Sequence, residues 1–137
     1  MTEPARDRIQ RWVMLPQPPA KVWAEIGGFG DIAKWHPDVT SAEVFEIEGD
    51  THRHVRVGDG LSLERLVETG PNFYTYETVD GPLPLPNHRA TLSCVAEKDG
   101  CHVFWSAVFD PTDPAVDDIV TAYYEDGLAA LRDRFGG

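Results

Sequence analysis

The feature that most constrains this chain is a series of short alternating segments, cut by turn chemistry and closed by one amphipathic helix. Between residues 40 and 109, apolar and polar residues alternate in runs that end at Gly49-Asp50, Gly58-Asp59-Gly60, Gly70-Pro71-Asn72 and Asp99-Gly100. Alternation with period two suits a half-buried strand, and glycine, asparagine and aspartate supply the backbone conformations that tight hairpins demand. Strands are expected over residues 40–48, 51–57, 61–69, 73–79, 87–97 and 101–109, joined as an antiparallel meander. Gly81-Pro82-Leu83-Pro84-Leu85-Pro86 is a connection of another kind, stiffened by its prolines. Beyond the strands, residues 114–135 place Val116, Val120, Tyr124, Gly127, Leu128, Leu131 and Phe135 on one stripe, which predicts a long amphipathic helix.

The first third of the chain reads differently. Residues 9–15 form an apolar, β-prone run ended by Pro16, Pro18 and Pro19. Residues 19–26 open with proline, space Val22 and Ile26 four apart and meet Gly27-Gly28; residues 29–35 set Phe29, Ile32 and Trp35 at spacing three before His36-Pro37. Two short helices follow from that spacing. The whole is an α+β helix-grip: about seven curved antiparallel strands wrapped round a long C-terminal helix, with two short helices between strands 1 and 2. A sheet of this size must bury one face, and the terminal helix is its natural cover, with room between them for a ligand.

Composition narrows the function classes. The 137 residues make one domain, 1–137, whose 42% hydrophobic content is ample for a single core. With 12 Lys+Arg against 23 Asp+Glu the formal charge is 12 − 23 = −11, and the basic residues are scattered, which argues against nucleic acid and anionic membranes. No apolar run reaches the roughly 20 residues that span a bilayer, and the charged opening residues 1–8 lack the apolar stretch of a signal peptide, so a cytoplasmic location is expected. The chain carries no P-loop, dinucleotide fingerprint or hydrolase elbow, and no cofactor is expected. His52 and His54 share an outward face near Asp59 without a third ligand at a convincing spacing, so no metal site is expected. Cys94 and Cys101 lie at unequal offsets from their turn and read as free thiols. A monomer or a homodimer is expected.

Strand parity identifies inward side chains, because neighbours along a strand point to opposite faces. Arg89, Thr91 and Ser93 mark an outer face, which turns His88, Ala90, Leu92 and Cys94 inward; Glu77 does the same for Tyr74, Tyr76 and Thr78. Arg53 shares the parity of Val55 and Val57, and an inward arginine needs a partner. The next strand is ambiguous, since Leu61, Leu63 and Val67 compete with Leu66 for the interior. Trp35 and His36 fall where the short helices meet the expected cavity mouth, and Tyr124 and Gly127 lie on the sheet-facing stripe, with Gly127 expected to leave room for the ligand.

The run from Pro18 to Pro37, PPAKVWAEIGGFGDIAKWHP, together with the order of elements, resembles the START-like superfamily of polyketide cyclases, the birch-pollen allergen and lipid-transfer domains. Leu63-Glu64-Arg65-Leu66, Tyr74-Thr75-Tyr76, Pro84-Leu85-Pro86-Asn87-His88, Trp105-Ser106 and Tyr124-Glu125-Asp126-Gly127-Leu128 resemble the branch holding methanol-dehydrogenase-associated proteins and lachrymatory-factor synthases. That resemblance implies a catalytic arginine–glutamate pair at Arg53 and Glu64 and a cavity-lining tryptophan at Trp105; where the branch usually has tyrosine, this chain has His88. Two functions follow for a small hydrophobic or amphipathic ligand. In one, Glu64 is the acid–base group of a cofactor-independent isomerisation, dehydration or cyclisation, Arg53 holds a polarised oxygen, and His88 with Tyr74 or Tyr76 completes the relay. In the other the domain is a carrier and Arg53 anchors the ligand's carboxylate or carbonyl. A weaker alternative is a partner protein that docks through its acidic surface.

Overall fold

A computed structural model describes residues 7–136; residues 1–6, most of the charged opening segment, lie outside the described residues. The elements run β1 (Asp7–Leu15), α1 (Pro19–Ile26), α2 (Ile32–Trp35), β2 (Val39–Ile47), β3 (Asp50–Val57), β4 (Gly60–Gly70), β5 (Phe73–Asp80), β6 (Arg89–Glu97), β7 (Gly100–Phe109) and α3 (Pro114–Phe135). They build the helix-grip. Seven antiparallel strands lie in the order β1-β7-β6-β5-β4-β3-β2, so the chain's first strand closes the sheet beside its last.

Turn chemistry sets the registers. Between β2 and β3, Glu48 and Gly49 have φ of 51° and 87°, the positive pair that a two-residue hairpin matched to strand twist requires, and Ile47 then faces Asp50. Two elements start later than expected. The second short helix starts at Ile32 rather than at residue 29, because the glycines around Phe29 form a turn instead. Strand β6 starts at Arg89 rather than at residue 87, because Asn87 has φ of 55° and breaks the extended run.

Helix α3 is started by Asp113, whose side chain accepts a hydrogen bond from the Ala115 N–H, and by Pro114 in its first turn. It packs over β1 while α1 packs against β6. Val116, Val120, Tyr124, Leu128, Leu131 and Phe135 enter one core with Ile9, Val13, Val103, Trp105 and Phe109. Each fully buried large apolar side chain contributes about 1.5–3 kcal/mol. Cys94 and Cys101 are buried free thiols; Cys94 faces Val103 and Cys101 faces Ala96, which leaves the two cysteines diagonal neighbours. Burial, reinforced by Cys101, pushes the Cys94 thiol up to about 12. No helix among the described residues is long and apolar enough to cross a membrane.

Candidate functional site

A cavity of about 310 Å³ opens between the inner face of β3–β5, the connection from β5 to β6 and the N-terminal half of α3. Its walls are mostly apolar, from Val55, Val57, Pro82, Leu83, Leu85, Ile119 and Val120. The polar contributions come from Ser62, Glu64, Tyr76, Thr78, His88, Tyr123 and Tyr124. The proline-rich connection forms one wall. Its end is fixed by Asn87, whose Nδ2 donates to Asp110, and by the Asp110 N–H, which donates to the Pro86 carbonyl at 2.9 Å.

Arg53 and Glu64 face each other directly across β3 and β4. The Arg53 Nε donates to Glu64 Oε1 at 2.7 Å, and Nη1 donates to the Phe29 carbonyl at 2.8 Å and to the Tyr74 hydroxyl at 3.3 Å. The guanidinium carbon lies 4.1 Å from the Phe29 ring centre and 4.7 Å from that of Tyr76. Burial by itself would lower the Arg53 pKa; the oxygens of Tyr74, Glu64 and Tyr76 outweigh it and hold the cation above its ordinary value. Arg53 is fully buried, whereas the Glu64 side chain keeps 14% of its surface exposed. Thus Glu64 stands on the cavity wall and Arg53 stands behind it, which corrects the expectation that both project into the cavity. No hydrogen bond among the described residues reaches the second Glu64 oxygen.

His88 lines the cavity with its Nδ1 accepting from the Thr78 N–H at 3.1 Å. That bond leaves the ring proton on Nε2. Burial lowers the His88 pKa to about 4, only partly countered by Glu77, so at neutral pH the ring is an uncharged donor rather than an acid. The phenols are donors as well. Burial raises the pKa values of Tyr74, Tyr76, Tyr123 and Tyr124. Trp105 Nε1 donates to the Tyr76 hydroxyl at 3.1 Å, and Tyr124 stacks on Trp105 with ring centres 4.1 Å apart. The buried Tyr124 hydroxyl lies beside that of Tyr76 without meeting hydrogen-bond geometry, and it has no partner.

Several expected ligand contacts lie elsewhere. Tyr74 is buried against Phe29 and Trp23, and Leu92 faces Trp105 across the β6–β7 ladder; neither lines this cavity. Trp105 sits behind Tyr124 and Tyr76 rather than on the wall. Trp35 packs at 5.5 Å from Trp105 and is likewise off the wall. His36 is a clamp: its Nδ1 accepts from the Asp38 N–H and its Nε2 donates to the Tyr123 carbonyl at 2.7 Å, which ties α2 to α3. Gly127 serves that clamp. A Cβ there would come within 2.6 Å of His36 Cδ2 and 3.0 Å of Trp105 Cζ3, so the missing side chain makes room for two rings and not for a ligand. Sequence reasoning assigned no role to Tyr123 or Ile119, the neighbours of Tyr124 and Val120 on a helix face wider than the chosen stripe. Phe29, which gives Arg53 both a carbonyl and a ring, had only its helical spacing as a signal. Among the described residues no three His, Cys, Asp or Glu side chains gather as metal ligands.

Comparison with known proteins identifies the class. Residues 6–136 match the family described as polyketide cyclase / dehydrase and lipid transport, and the chain belongs to that family. Among solved structures, the protein XoxI from Bacillus cereus is similar at 28% identity with a TM-score of 0.86, over 93% of this chain and 94% of that one. A protein from Thermobifida fusca is similar at 31% identity with a TM-score of 0.81, over 94% and 93%. Ara h 8.0201, at 19% identity and a TM-score of 0.74 over 95% and 97%, shares the fold. Among curated proteins nothing matches.

Proposed function

We propose that the chain binds a small, mostly apolar molecule in the cavity under the N-terminal half of α3 and catalyses cofactor-independent proton transfer on it, as isomerisation, dehydration or cyclisation. One observation carries this reading: a carboxylate stands on an apolar wall, held through one oxygen by a fully buried arginine, with its other oxygen left toward the cavity. Arg53 fixes the Glu64 carboxylate in place, and the ligand meets Glu64, not Arg53. Glu64 takes a proton from the ligand and returns it at another atom. Negative charge that develops on a ligand oxygen is met by the neutral donor His88 Nε2–H. This reading departs from the sequence expectation at two residues: Arg53 holds Glu64 rather than the ligand, and His88 acts as a fixed donor and not as a proton carrier at neutral pH.

A carrier function is the second reading, favoured by the largely apolar walls and by the lipid-transport part of the family description. The test begins with native mass spectrometry of the purified protein to find a bound small molecule, followed by incubation of that molecule with wild type and Glu64→Gln. An enzyme converts it, and Glu64→Gln keeps binding while turnover falls about 10²-fold or more. Tight binding with the molecule returned unchanged by wild type overturns catalysis and leaves the carrier.

A further inference from the structure

Resting on the reading of this cavity as the ligand site, we infer that it selects uncharged ligands carrying a hydroxyl or enol and rejects carboxylate amphiphiles such as fatty acids. The carrier expectation had Arg53 anchoring a ligand carboxylate, and the geometry removes that option. Its Nε is committed to Glu64 and its Nη1 to Phe29 and Tyr74; Nη2 has no hydrogen-bond partner, but the whole guanidinium is buried off the cavity wall with aromatic rings at 4.1 and 4.7 Å over its plane, so a ligand in this cavity does not reach it. No lysine or arginine stands on the cavity wall, where Glu64 is the carboxylate. A second carboxylate in the same water-poor space meets like charge without a free cation to balance it. Exposed Asp80 precedes Gly81 of the wall, and exposed Asp118 precedes Ile119, in a chain of net charge −11.

The polar atoms of the wall fit a hydroxyl group. The free Glu64 oxygen accepts, His88 Nε2–H donates, and the hydroxyls of Ser62, Thr78 and Tyr123 can do either. A hydroxyl donates once and accepts up to twice, which matches that set; an ether lacks the donor and a carboxylate adds a repelled charge. Buried groups left unpaired cost enough to separate ligands of equal size by roughly tenfold or more in affinity.

Three probes on one ring system test this at neutral pH: 2-naphthol, 2-methoxynaphthalene and 2-naphthoate, titrated into wild type, Glu64→Gln and Val120→Trp by calorimetry. The expected result is 2-naphthol binding at least tenfold more tightly than either of the others. Glu64→Gln, which removes the repelling charge, narrows the naphthol-to-naphthoate ratio at least threefold. Naphthoate binding as tightly as naphthol to wild type, or a ratio unmoved in Glu64→Gln, overturns the proposal; if that variant fails to fold, the wild-type ranking alone decides. Val120→Trp fills the cavity and abolishes binding of every probe if the site is correct, and Ile119→Trp at the exposed mouth replaces it should the core variant not fold. A naphthoate preference that these fillers abolish sinks the charge selection while the site stands. Binding that ignores both fillers, or no binding by any probe, sinks the site and the proposal together.

Discussion

His36, in the half of the interior closed by α2, and His88, in the half that holds the cavity, differ by one hydrogen bond. Both rings are buried, and both accept a backbone N–H at Nδ1, from Asp38 and from Thr78. Burial lowers both pKa values. In the half closed by α2, the His36 Nε2–H is spent on the Tyr123 carbonyl, and Gly127 and Trp105 pack against the ring. In the half under Ile119 and Val120, the His88 Nε2–H meets open cavity, on the same wall as a carboxylate with a spare oxygen. A buried polar group whose valences are all used holds the fold together; one left with a valence facing space is available to a ligand.

The largest expected effect comes from the charge that joins the halves. Arg53→Met strands the Glu64 carboxylate and leaves the Phe29 carbonyl and the Tyr74 hydroxyl without their donor. Breaking a buried pair from one side costs about 3–5 kcal/mol, read as a shift in the urea midpoint. A loss below about 1 kcal/mol would show that Arg53 is not the structural member of the pair.

Acid acts next on the histidines. Each has a folded pKa below the unfolded value of 6.5, so the unfolded chain binds more protons, and the stabilisation is complete above that value and is lost as pH falls toward the folded one. For His88 the window runs from 6.5 down to about 4, with an upper limit of about 3 kcal/mol. Unfolding free energies measured across this range should fall in wild type and flatten in part in His88→Phe; an unchanged slope contradicts the assignment.

Gly127→Ala separates packing from binding. His36 is pinned at both nitrogens, and Trp105 is held by Tyr76 and Tyr124, so neither ring yields to a new Cβ. Overpacking costs about 1–3 kcal/mol, and the helix preference for alanine returns about 1. The expected outcome is a net loss of up to about 2 kcal/mol in thermal or urea unfolding, with naphthol affinity unchanged. The converse holds for Ile119→Ala. Ile119 is 51% exposed at the mouth, so stability should stay within about 0.5 kcal/mol while affinity falls a few-fold by calorimetry. Affinity lost in Gly127→Ala and kept in Ile119→Ala would reverse the roles of the two halves.

The fold was legible because its information is local. The stripe of α3 and the glycine-bearing turns place elements without knowledge of their neighbours, and α3 spans the expected residues 114–135. Parity likewise placed Arg53, His88, Tyr74 and Tyr76 on the inner face. Strand β4 resisted that reading for a physical reason. Register shifts between Leu63 and Glu64 and between Leu66 and Glu68 change the facing partners along it, so no single alternation describes it; Glu64 was found by family resemblance instead. The site was less legible than the fold, because inward orientation does not distinguish a cavity wall from the layer behind it. Arg53, Trp105 and Gly127 point inward and are covered by other side chains, and covering depends on rings that arrive from distant segments, Phe29 and Tyr124 among them. His52 makes the same point outside: it faces outward as expected, yet it is 6% exposed with Phe45 stacked over it.

The division into a structural half and a binding half is tested most directly by mapping amide chemical shifts in ¹⁵N-labelled protein titrated with 2-naphthol. The account predicts saturable shifts at Glu64, Tyr76, His88, Ile119 and Val120, with His36 and Gly127 at the level of the remote strand β1. Saturable shifts centred on His36 and Gly127, with Glu64 and His88 unmoved, would contradict it.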